Sequence, residues 1–318
     1  TRKKPSADKG TQEVPRAFLN ILRVPHILLA TDMAGRRVKM TPQSGLAPVD
    51  VHQTHHLYLA RCLEVMHEVE DLHRPGAFDK KGLSAKERAE PIEVPALAGV
   101  DYLLFIFANE EAQRRLTARL FEQETPGTIT CPGCTSVFED SVTFPTDADL
   151  HRYVYSAFAG SLIHQYNDDP DRTEEERKKD ESLPTWLTEG FEHSLAMRRW
   201  GICEEGGIHE SRKTDPRKGV EGWRADNWPG AVSKLIGTGK ARPFPELSKL
   251  VLDDMQCSDH QVAWSYVDFL LHQGMDKLAK LTPMLRKPGS DQAQALREVY
   301  GLTQAELEDA WKASVLKP

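Results

Sequence analysis

Two neighbouring stretches decide the reading of this chain: AFAGSLIHQYND (157–168) and LPTWLTEGFEHSLAMRRW (183–200). In the first, Ala157, Ser161, His164 and Asp168 recur at spacings of four, three and four, so they form one stripe of a helix expected over Leu150–Asn167. The small residues at 157, 160 and 161 let another element approach that stripe closely. In the second, Pro184 and Thr185 introduce a helix running from Trp186 to Trp200, on which Glu189 and His193 lie four apart and share a face. Packing of the two helices would bring His164, Asp168, Glu189 and His193 together. Two imidazoles and two carboxylates are the donors of a metal site for a borderline cation. The competing reading is ordinary: a His four residues from an Asp forms a helical side-chain pair, and His193 is a partly exposed helix residue.

Outward from this pair, the second half reads as mainly helical. Thr146 and Asp149 suggest a capping box. The run 168–182 alternates acids and bases and reads as a solvated loop. Residues 201–243 are rich in Gly, Lys, Arg and Pro and read as irregular. Further helices close the chain, one over His260–Gln273 and another starting at Thr303, where Glu306 completes a capping box. The first half alternates strand and helix signals. VPHILLAT (24–31) and YLLFIF (102–107) are short apolar runs expected as strands. Leu59, Leu63, Met66, Val69 and Leu72 give helical spacing to 51–72. A charged loop is expected over 73–98, a helix over Asn109–Phe121, and a hairpin from 127–131 and 136–144.

The fold class expected is α+β: a small mixed sheet with helices, followed by a mainly helical half. Three regions follow: a flexible N-terminal arm over 1–16, an α/β half over 17–145, and a helical half over 146–318. The first residue is Thr1 rather than Met, which reads as a mature or trimmed product.

Composition narrows the function. The 318 residues carry 41 basic and 48 acidic side chains, a net charge of -7, which argues against a nucleic-acid binder dominated by phosphate contacts. No stretch approaches the roughly 20 apolar residues of a membrane-spanning helix. Five cysteines include Cys131-Pro132-Gly133-Cys134, read as either a local disulfide or two reduced thiols at a tight turn, since no second C-x-x-C supplies the rest of a zinc site. A protein built around that turn remains a separate hypothesis. His52, His55 and His56 read as a solvated helix face, because adjacent side chains point different ways. His260 and Tyr266 are candidates for a cleft, Tyr266 more as core, and Trp186 and Leu187 as packing residues.

The segments Ile163–Asp168 and Leu183–Gly190 together resemble the gluzincin metallopeptidase pattern, closest to the bacterial peptidase MA-like families, in which H-E-x-x-H on one helix precedes P-x-W-L-x-E-G on the next. AWSYVDFLL (263–271), and Tyr300–Thr303 ahead of Glu306–Trp311, resemble the same families, so the likeness covers about 100–316. It implies a zincin-like fold in which His164 and Glu189 correspond to the first and third zinc ligands. Gln165 stands where the general-base Glu belongs, and Asp168 where the second ligand His belongs. A Gln side chain takes up no proton at neutral pH. The resemblance therefore implies a degenerate, catalytically inactive peptidase-like protein that acts as a binding or assembly subunit with a protein or peptide partner, holding no cofactor. The alternative it leaves is a zinc-dependent peptidase with a variant ligand set of His164, Asp168 or His193, and Glu189, with His260 as a further catalytic candidate. It also implies an extracytoplasmic location.

Overall fold

The computed structural model describes five strands, helical residues at 59, 62–69, 72, 155–156 and 158–164, Tyr166, scattered positions over 172–182, and residues 183–199 and 227–317, with the backbone alone at Trp200. The N-terminal arm, the 73–98 and 109–121 expectations, the Thr146 cap, His52, His55, His56, Gln165 and Asp168 lie outside the described residues.

The strands are β1 (Asn20–Val24), β2 (Ile27–Thr31), β3 (Tyr102–Phe107), β4 (Ile129–Cys131) and β5 (Cys134–Phe138), in the sheet order β1-β2-β3-β5-β4. The central pairings β2–β3 and β3–β5 are parallel, and the outer ones, β1–β2 and β4–β5, are antiparallel hairpins. This mixed pattern follows from connection length. Two residues separate β1 from β2 and β4 from β5, enough only for a hairpin, whereas the parallel neighbours are joined by long crossovers. The expected strand over 24–31 resolves into β2 with β1 ahead of it, and in the second antiparallel pair Cys131 and Cys134 are in register.

The remaining described residues are mostly helical. We label the helical residues 62–69 α1 and 158–164 α2, followed by α3 (Thr185–Trp200), α4 (Trp228–Gly237), the single turn α5 (Phe244–Leu247), α6 (Cys257–His272), α7 (Met275–Leu285), α8 (Gln292–Tyr300) and α9 (Gln304–Val315). α9 begins as its sequence predicts, with Thr303 and Glu306 forming a reciprocal capping box. α6 begins three residues earlier than expected because Gln256 and Asp259 form a second such box. The expectation of irregular structure throughout 201–243 is corrected by α4. Its start is locally encoded: Asn227 accepts a hydrogen bond from Gly230 N–H (3.0 Å), and Pro229 sits in the first turn, where no amide donor is needed.

Buried residues of both halves belong to one apolar cluster: Ile27, Leu29 and Tyr102 from the sheet, Val65 and Met66 from α1, Phe158 and Leu162 from α2, and the inner faces of α3 to α9. Tyr102 meets Phe158 edge to face at 5.4 Å, which ties the sheet to α2. A second aromatic chain fixes α6. Trp186 packs on Phe244 (5.0 Å), Phe244 on Tyr266 (4.9 Å), and Tyr266 stacks on Trp311 (4.0 Å). Trp186 Nε1 also donates to Gln292 Oε1 at 3.0 Å. Trp186, Leu187 and Tyr266 are all core residues, in agreement with the sequence reading. Among the described residues no helix is long and apolar enough to cross a membrane.

Candidate metal centre

The most extensive helix contact among the described elements is between α3 and α6. Gly190 lies at this contact. A Cβ at that position would lie 2.5 Å from the Ala263 carbonyl oxygen and 2.5 Å from Val267 Cγ2, so only glycine admits the α6 backbone here. Ser194 Oγ, bonded at 2.7 Å to the Gly190 carbonyl, also reaches the Trp264 carbonyl at 3.4 Å. On α6 the facing stripe is His260, Ala263, Trp264 and Val267, the three-and-four spacing of one helix side. Glu189 and His193 flank Gly190 on α3, and the close crossing therefore places them against His260.

The outcome is a compact triad. His193 Nε2 lies 3.0 Å from His260 Nδ1, His260 Nδ1 lies 3.3 Å from Glu189 Oε2, and His193 Nε2 lies 3.7 Å from the same carboxylate oxygen. Among the described residues these three are the group that could hold a metal ion. Zinc takes nitrogen and oxygen ligands at about 2.0–2.2 Å in tetrahedral array, which sets its ligand atoms about 3.3 Å apart. The three observed edges, 3.0, 3.3 and 3.7 Å, bracket that value. Protonation state agrees with ligation. Burial first, then the adjacent His260 imidazole, holds His193 down to about 3 against the opposing pull of Glu189, so its ring is neutral at pH 7. A neutral imidazole offers the lone pair a metal needs. Without a metal, the short imidazole–imidazole contact is a hydrogen bond in which one ring donates.

The triad sits among aromatic walls. Trp228 of α4 meets the His193 ring edge to face (5.2 Å, 72°), and Trp264 meets Trp228 at 5.8 Å. Both histidines are buried, while the Glu189 side chain retains 16% exposure and is the most accessible of the three. Close by, Arg242 clamps Asp259, the residue before His260, at 2.7 and 3.2 Å, fixing the first turn of α6.

Of the residues singled out by sequence, Glu189, His193 and His260 are thus brought together. The expectation that His193 is partly exposed is corrected, since α3 is covered on both flanks and His193 is fully buried. On its other flank, Glu192 lies where a Cβ on Gly160 would sit, so α2 packs on α3 through the small residue at 160. His164, at the end of α2, is half-buried and is not one of the three clustered donors. Burial and then the Arg286 guanidinium hold its imidazole down to about 4. Arg286 caps this helix end, donating to the carbonyls of His164 (2.6 Å) and Tyr166 (3.2 Å), and Thr282 Oγ1 also donates to Tyr166 O (3.1 Å). The sequence reading did not name Trp228, Trp264 or Arg286. No protein-family model matches the chain, and no curated protein is significantly similar to it.

Proposed function

We propose that this chain is a metal-binding protein of gluzincin-like build that holds one zinc ion on Glu189, His193 and His260 and serves as a binding or assembly subunit for a protein or peptide. The observation that carries this reading is the triangle of donor atoms at 3.0, 3.3 and 3.7 Å, within the span of a tetrahedral zinc face. The two buried imidazoles and the single carboxylate form a borderline donor set suited to zinc rather than to calcium or magnesium, which take oxygen ligands. In this reading the metal lies between α3 and α6, displaced by one helix from the place that the resemblance implies. The absence of peptide hydrolysis in this proposal rests on the resemblance, in which Gln165, a residue that takes up no proton, stands where the general base belongs. An extracytoplasmic location belongs to the same proposal and rests on the resemblance alone.

A second reading, a zinc peptidase with a variant ligand set, draws support from the partial exposure of Glu189, which leaves one side of the triad approachable. When bound, zinc would supply Lewis acidity and lower the pKa of a bound water. The chain's own residues would hold the ion and, through Trp228 and Trp264, shield it. The test is metal content of the purified full chain together with casein cleavage with and without a chelator. One zinc per chain, lost in His193→Ala and His260→Ala variants that remain folded, is the expected result, with no chelator-sensitive cleavage. Zinc absent from wild type even after reconstitution would overturn the proposal. Chelator-sensitive turnover restored by zinc would favour the second reading.

A further inference from the structure

We propose that Cys131 and Cys134 form a reversible disulfide by exchange with low-molecular-weight disulfides, and that this bond clasps the edge strand β4 onto the sheet. The metal donors Glu189, His193 and His260 include neither cysteine, so the inference stands apart from the metal reading.

Register comes first. β4 and β5 pair antiparallel, and Cys131 and Cys134 are Cα partners in that ladder. Directly opposed residues of an antiparallel pair have Cα atoms about 4.5–5.5 Å apart and share one face of the sheet. A disulfide needs Cα atoms about 4.4–6.8 Å apart. The backbone therefore brings the two cysteines to bonding separation without rearrangement. Their footing in the sheet is unequal. Cys134 is held on both sides, since it pairs with Leu103 of β3 as well as with Cys131. Cys131 ends a strand of three residues whose pairing in the described sheet is to β5 alone. A covalent link at this pair fixes the register of that short edge strand. The other described cysteines lie elsewhere. Cys62 is buried in the core, where burial pushes its thiol up and leaves it protonated and unreactive, and Cys257 opens α6.

The chemistry is thiol–disulfide exchange. One cysteine thiolate attacks a small disulfide R–S–S–R, which forms a mixed disulfide and releases one thiolate. The second cysteine thiolate attacks the protein sulfur of that mixed disulfide, which forms the Cys131–Cys134 bond and releases the second. The two released thiolates take up the two protons that the cysteines lose. The pair is thus oxidised by two electrons, and the small disulfide is reduced to two thiols. Only Pro132 and Gly133 lie between the two cysteines in sequence, so the bond removes little chain entropy from the unfolded state. The fold in turn adds little to the stability of the bond, which places it among exchangeable rather than permanent disulfides.

The experiment equilibrates the full chain in glutathione buffers from reduced to oxidised, alkylates the thiols and reads the mass of the peptide that carries 131–134. Hydrogen exchange of the β4 amides is followed in the two end states. Both thiols of that peptide should disappear together across the buffer series and return when reduced glutathione is added. The β4 amides should exchange about tenfold more slowly in the oxidised chain, with α3 and α6 unchanged. Cys131→Ser and Cys134→Ser should each stop at a glutathione adduct on the remaining cysteine, and two variants are used so that a folding defect in one leaves the other to decide. Thiols that stay alkylatable throughout, or a bond from either to another cysteine, would overturn the inference. Equal exchange at β4 in both states would overturn it as well. Thiols blocked until a chelator is added, with zinc retained by His193→Ala, would assign the pair to a zinc site and overturn it too.

Discussion

Substituting Gly190 by Ala tests whether the α3–α6 crossing positions the site. The new methyl would stand 2.5 Å from both the Ala263 oxygen and Val267 Cγ2, against the 3.4 Å at which ordinary contact begins, so the helices must part by about 1 Å or tilt. Overpacking of this kind costs about 1–3 kcal/mol. Replacing Gly by Ala inside a helix returns about 1 kcal/mol of intrinsic propensity. The net expectation is a loss of about 0–2 kcal/mol, or up to roughly 3 °C in Tm for a chain this size. The larger consequence falls on the site. Glu189 and His193 ride on α3 and His260 on α6, so a parting of 1 Å spoils both cross-helix edges of the donor triangle, the 3.0 and 3.3 Å ones. Disturbed positioning of ligands typically lowers metal affinity about 10–100-fold. The assay pairs thermal unfolding with competition for zinc against a chromophoric chelator. Gly237→Ala is the control: it ends α4, and a Cβ there meets nothing within 4 Å, so that variant should be neutral or slightly stabilised with normal zinc affinity. A Gly190→Ala protein as stable as wild type that binds zinc equally well would refute the idea that this crossing sets the site.

Other consequences concern the end of α2. Arg286→Met removes two charge-assisted hydrogen bonds to the carbonyls of His164 and Tyr166 and should cost about 2–3 kcal/mol in chemical denaturation; a loss under 0.5 kcal/mol would show the cap to be dispensable. In the same variant His164 should titrate higher than in wild type yet still below its ordinary range, because burial, the larger cause, remains; NMR of the imidazole protons reads this directly. The acid limb follows from the same group. With His164 lowered to about 4 in the folded chain against 6.5 unfolded, the unfolded chain binds more protons between those values, so stability is complete above about pH 6.5 and falls as pH drops toward 4. His164→Gln should flatten that limb in urea midpoints measured from pH 7 to 4, and an unchanged slope would count against the assignment.

What could be read in advance was whatever the chain encodes locally. The apolar run 102–107 is β3 as expected, and Thr303 with Glu306 starts α9, because a strand core and a capping box need only a few consecutive residues. α4 carried an equally local signal in Asn227 and Pro229, and was overlooked because the Gly, Lys and Arg around it dominate the composition. The site divides in the same way. Glu189 and His193 were paired by their spacing alone, since i and i+4 share a helix side wherever the helix goes. The burial of His193 was misjudged because its neighbours in sequence, Glu192 and Arg198, suggest a solvent face. α3 instead lies between α2 and α6, so its polar residues meet protein on both flanks, Glu192 against Gly160 and His193 against His260. His260 could be no more than a candidate in the sequence. It occupies the polar first turn of α6, 67 residues from His193, and nothing at that spacing fixes a contact. Its part in the triad depends on a tertiary fact, the approach of the α6 backbone to Gly190. The physical content of the E-G pair at 189–190 is thus joint: the carboxylate supplies a donor, and the missing side chain beside it lets the helix carrying the third donor come within reach.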